Sequence, residues 1–205
     1  MPSIARAQDV LLFWFGPRPY TAASVAQHSR VWFGAHSAPE LIPQTDELVR
    51  TRFEPTLRAA ESGKLNAWSS SPRRRLALIL LLDQFSRHVY RDDPRSYAQD
   101  HEALSLSVSG MLYGADAALD PVERIFFYVP LQHAESLDVQ DESVAAFRRL
   151  LAEAPAELRA TFEQGLKAAI EHREVIARFG RFPHRNALLR RENTREEADW
   201  LAYVR

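Results

Sequence analysis

The sequence contains no cysteine. That excludes disulfides, thiolate metal sites and cysteine nucleophiles. Glycine is scarce, 7 of 205 residues, too few for an all-β protein full of tight turns, and Asn-Gly and Asp-Gly hairpin signals are missing. Charge of one sign is missing too: 26 basic residues face 27 acidic ones. No global field therefore points to nucleic acid, a membrane surface or an acidic partner. Long hydrophobic runs are also lacking. Leu76 to Leu82 falls far short of the ~20 residues a membrane helix needs. Val10 to Phe15 follows Asp9 and leads into Gly16-Pro17-Arg18-Pro19, not into the small-residue cleavage site of a signal peptide. These absences set the expectation of a cytoplasmic protein with no membrane and no nucleic-acid partner. Ser107-Val108-Ser109-Gly110 lacks the leading glycine of a nucleophile elbow. Without a P-loop or GxGxxG, no cofactor is expected, and no metal.

What is present reads as helix. The length suits one domain spanning 1–205, able to hide roughly 70% of its unfolded surface. Three times a capping residue precedes proline, at Ser71-Pro72, Asp93-Pro94 and Asp120-Pro121. The cap oxygen can take a free N–H, and proline sits where its missing N–H costs nothing. Thr194 with Glu197 forms a capping box, and Gly63, Gly114 and Gly180 mark helix ends. The pattern predicts helices over 4–15, 22–33, 44–62, 72–89, 94–113, 121–128, 139–152, 156–178 and 195–204. The helix from Pro72 has almost no polar face through two turns, so neighbours must surround it. The fold class is all-α, with about nine helices.

Three polar stretches lie at predicted helix ends. Asp83-Gln84-Phe85-Ser86-Arg87-His88 follows the apolar run. Asp83 and Arg87, four apart, share a helix face and can pair; such a buried pair can serve a site or only hold geometry. Phe126-Phe127-Tyr128-Val129-Pro130-Leu131-Gln132-His133-Ala134-Glu135 delivers His133 and Glu135 past a proline break. Those two could form an acid–base pair, serve as two metal ligands, a signal far weaker than HExxH, or make a core hydrogen bond. The third stretch, Arg178-Phe179-Gly180-Arg181-Phe182-Pro183-His184-Arg185-Asn186, follows His172 on a long helix. Arginine forks beside a helix start suit phosphate or carboxylate; the same arginines could pair with the protein's own acids, such as Asp83 or Glu135.

Together these stretches resemble the bacterial domain-of-unknown-function 924 family, whose members look like LALIILLDQFPRN-YRG-PRAFAQD, then FFY-PL-HSE, then FGRFPHRN--LGR-ST-EE. The matching residues are Leu76 to Asp100, Phe126 to Glu135 and Phe179 to Glu197. Trp14-Phe15-Gly16 and Trp32-Phe33 fit as well. The resemblance implies a TPR-like, superhelical helix-hairpin bundle, although no repeat is visible, and it implies no activity. Ser86 and His88 stand where the family has Pro and Asn, Ala134 replaces Ser, and Arg190 replaces the glycine of LGR. If that glycine holds a left-handed backbone or lets a ligand come close, arginine strains the turn or blocks the approach.

The resulting expectation is one polar pocket made by Asp83, Gln84, Arg87, His133, Glu135, His172, Arg178, Arg181, His184, Arg185 and Asn186. It would bind a small anionic ligand, with His133, Glu135 and His184 as candidate acid–base groups. The alternative is a TPR-like scaffold for a peptide or protein partner, in which the same motifs only lock helices together. Oligomeric state is left open.

Overall fold

The computed structural model describes residues 3–32 and 39–204; Phe33, where the second predicted helix ends, lies outside them. The described residues form α1 (Ala7–Phe15), α2 (Ala22–Trp32), α3 (Ile42–Glu61), α4 (Pro72–Ile79), α5 (Ser86–Val89), α6 (Asp100–Leu112), α7 (Pro121–Gln132), α8 (Leu137–Ala152), α9 (Arg159–Phe179) and α10 (Arg195–Tyr203). No strand occurs among the described residues, so the all-α class is correct. None of these helices is long and apolar enough to cross a membrane.

The apolar rod at 72–89 is central, as its missing polar face requires. Every residue from Leu76 to Asp83 is buried, and α4 packs against α1, α6 and α7. The rod is not one α-helix, however. Leu80–Phe85 widens into a π-helical turn between α4 and α5. The Ser86 N–H reaches five residues back to the Leu81 carbonyl, while the Ser86 hydroxyl donates to the Leu82 carbonyl at 2.7 Å. The hydroxyl thus satisfies the oxygen that the backbone N–H has left. Asp83 sits inside this turn.

Capping mostly follows the residues that announce it. Asp120 caps α7 in a box with Glu123, and Thr194 caps α10 with Glu197. Asp93 accepts from the Arg95 N–H, but over a 3-10 turn at Pro94–Tyr97 that precedes α6. Ser71 is extended and its side chain makes no cap bond. Gly63, Gly114 and Gly180 all take positive φ. Pro130 does not break α7, which runs on to Gln132; a proline removes one N–H, and only two residues of helix follow it.

Among the described residues, two other than glycine also take the left-handed conformation, Asp92 at φ 60° and Arg190 at φ 54°. The family pattern carries glycine at both positions. The left-handed backbone expected at Arg190 is therefore present, and Asp92 shares it, a position that sequence reasoning passed over.

Candidate functional site

Four elements converge beside the π-helical turn. The turn supplies Asp83, α5 supplies Arg87, the C-terminal end of α7 supplies His133, and α9 supplies His172. Gly180 ends α9 in a left-handed cap, which frees the chain to return through Phe182 into a 3-10 turn at Pro183–Arg185. That return is clasped by Glu135, which accepts the Phe182 N–H at 2.8 Å and the Arg191 guanidinium at 2.7 and 3.0 Å. Burial pushes the Glu135 carboxyl up, but Arg191 and the Phe182 N–H hold it below its ordinary value.

The clasp leaves a cleft of about 380 Å³ whose walls include Arg87, Arg91, Tyr97, His133, His172, His184 and Arg185. Among the described residues, Asp92 is the one acid in that lining. Asp83 stands behind it, 1% exposed, with its Oδ1 2.6 Å from His133 Nδ1. Burial alone would raise the Asp83 carboxyl. The charges of His133 and Arg87, with hydrogen bonds from His133 and Gln84, instead hold it well below the carboxylate range. An ionised Asp83 needs the proton on His133 Nδ1, which leaves Nε2 as the ring nitrogen that Asp83 does not engage. His172 donates its Nδ1–H to the Ala168 carbonyl at 2.7 Å. Burial and the neighbouring His133 push His172 down to about 4.

The arginines are unequally engaged. Arg87 gives both Nη atoms away, to the carbonyls of Ser96 and Asp83 at 2.7 and 3.0 Å and to Asp100 at 2.9 and 3.0 Å. The Asp83–Arg87 pair expected from their spacing is only a 3.7 Å contact, because Asp100 takes the fork. Arg91 pairs with Asp46, which also takes His88 Nδ1 at 2.7 Å. Arg185 differs. Its side chain is 7% exposed and meets Asp100 at 3.2 Å. Its guanidinium lies between Tyr97 and Phe182, 4.7 and 4.5 Å from the ring centres, and its Nε has no partner. Burial lowers Arg185, and Asp100 opposes that shift.

Of the residues expected to converge, Arg87, His133, His172, His184 and Arg185 line this cleft, with Asp83 behind. Gln84 donates to Asp83 and faces another hollow, with Arg30 and Thr45. Glu135 borders a second cleft of about 530 Å³ that shares Tyr97, His133 and Arg185 with the first; Arg191 and the Phe182 N–H already occupy its carboxylate. Three residues are turned to other work. Arg178 pairs with Glu196 at 2.7 Å, Arg181 forks onto Glu197 at 2.6 and 2.8 Å, and Asn186 is buried against Asn193 at 2.8 Å. Sequence reasoning missed Arg91, Tyr97 and Asp100. Asp100 closes the first family motif, so a signal for it was present.

Fold and cleft together define an all-helical protein with a hollow lined by arginines and histidines beside a π-helical turn. The family model described as "Bacterial protein of unknown function (DUF924)" matches residues 10–204, and the chain belongs to that family. The solved structure of a protein of unknown function from Agrobacterium tumefaciens is similar, with a TM-score of 0.73 and 31% identity over 95% of this chain and 96% of that one. No curated protein matches.

Proposed function

We propose that the cleft binds a small anionic ligand, a phosphate or carboxylate compound. Arg185 carries this reading: a guanidinium 7% exposed whose hydrogen bond is to Asp100, in a lining of three arginines and three histidines against one acid among the described residues. A buried cation with donors to spare is costly unless something completes its bonding, and an arginine fork suits an oxyanion. Asp83 and His133 supply a group beside the ligand that can accept or release a proton through Nε2. The test is thermal unfolding with sulfate or phosphate. At a hundredfold excess over Kd, linkage stabilises by about 2.7 kcal/mol, a rise of roughly 5–10 °C for a chain of this size. Arg185→Ala should abolish the rise, with Arg185→Lys as the milder change if alanine fails to fold. No rise in the unaltered protein would remove this reading.

A TPR-like interaction scaffold is the second reading. It draws on Val108, Leu112 and Tyr113, which stand 48%, 77% and 80% exposed near the end of α6, and on α8 packed against both α7 and α9. There the polar network only locks helices, and anions leave the melting temperature unchanged.

A further inference from the structure

The anion cleft has an aromatic neighbour that the anion alone does not explain. His172 and His184 line the first cleft and also a hollow of about 630 Å³ between α9 and α10. That volume falls within the range of small-molecule sites. Its walls include Phe179, Phe182 and Trp200. Phe179 and Trp200 meet at 5.5 Å between ring centres, and Phe182 lies 5.5 Å from each imidazole. The walls also carry Glu171 and Glu174, together with Arg178, which pairs with Glu196 and lies 4.8 Å from the Phe179 ring centre. Two carboxylates repel an anion but accept hydrogen bonds from amino groups. The two hollows therefore differ in lining, one of arginines and imidazoles and one of aromatic rings with two carboxylate acceptors, and they meet at His172 and His184.

We propose that the hollow between α9 and α10 takes the ring of the same ligand whose anionic group sits among the arginines and imidazoles. The ligand class is then a phosphorylated compound bearing a planar, amine-carrying ring, such as a nucleoside monophosphate. This rests on the anion reading above. The aromatic faces stack on the ring, Glu171 and Glu174 take its amino hydrogens, and the phosphate reaches Arg185 across the imidazole ridge.

Calorimetric titration of the full chain with inorganic phosphate, ribose 5-phosphate, adenosine monophosphate and decyl phosphate tests it. Adenosine monophosphate should bind about tenfold more tightly than ribose 5-phosphate, the scale of one stacked base. It should also quench tryptophan fluorescence while ribose 5-phosphate does not. Trp14, Trp32 and Trp68 are buried and Trp200 is half-buried, so the quenching reports on Trp200. Trp200→Leu should erase the tenfold advantage and leave ribose 5-phosphate affinity unchanged; Glu174→Gln, a surface change, should reduce it without threatening the fold. Equal affinity for the two sugar phosphates, or tighter binding of decyl phosphate than of the nucleotide, overturns the ring site while the anion site stands. If no phosphate compound binds, both fail together.

Discussion

A backbone at positive φ costs an L-residue with a side chain about 1–2 kcal/mol, and glycine avoids that cost. Arg190 is exposed, and its side chain forms no hydrogen bond or ion pair among the described residues. Arg190→Gly should therefore stabilise the protein by about 0.5–1 kcal/mol, after glycine's extra unfolded-state entropy is subtracted. Denaturant unfolding would detect this as a higher midpoint at unchanged slope. Asp92 shares the conformation but not the setting. It supplies the acid in the cleft lining, and aspartate tolerates the left-handed region better than arginine. Asp92→Gly should give a smaller gain in stability but tighter sulfate binding, whereas Arg190→Gly leaves sulfate binding alone. Equal sulfate affinity in both variants would show that Asp92 does not act on the cleft. The strain at 190 was legible from one departure from the family pattern. That at 92 was equally written there, and only the backbone angle drew attention to it.

At the scale of elements, helix starts and stops were legible because capping is local: Asp120, Thr194 and Gly180 act on backbone groups within a turn of themselves. The π-helical turn was not. A run of leucines buries equally well in either winding, and the choice depends on what Ser86 does with its hydroxyl. Partner choice among the arginines was no more legible, since Asp100 lies 13 residues from Arg87 and 85 from Arg185. Packing between elements also overrides propensity at Gly110 in α6. Alanine there would gain about 1 kcal/mol of helix propensity. Its Cβ, however, would stand 2.9 Å from Arg75 Cδ and 3.1 Å from Phe127 Cε1, and the Phe127 ring belongs to a fully buried layer of α7. Overpacking of that kind costs about 1–3 kcal/mol. Gly110→Ala should thus destabilise, and a melting temperature above that of the unaltered protein would mean that α6 and α7 can part without loss.

For the whole molecule, the anion site proposed for the cleft would be linked to pH through its imidazoles. His172 is pushed from an ordinary 6.5 to about 4 by burial and by His133, with His184 and Arg185 adding to the effect. Its folded value lies below its unfolded one, so between about 6.5 and 4 the unfolded chain binds more protons than the folded one. Stability from this group is complete above that window and falls as the pH drops through it. An anion bound in the cleft would oppose that shift, because a negative charge favours the protonated ring. Sulfate serves as the probe since its charge is constant over this range. Each imidazole whose value sulfate raises by one unit tightens binding about tenfold once the pH is low enough to protonate it. The rise in melting temperature produced by sulfate should therefore be larger at pH 5 than at pH 8, even as the ligand-free protein becomes less stable. His172→Asn, which cannot gain a proton, should flatten both trends. A sulfate effect that stays constant from pH 8 to pH 5 would mean that the imidazoles do not face the anion, leaving Arg185 alone to account for any binding.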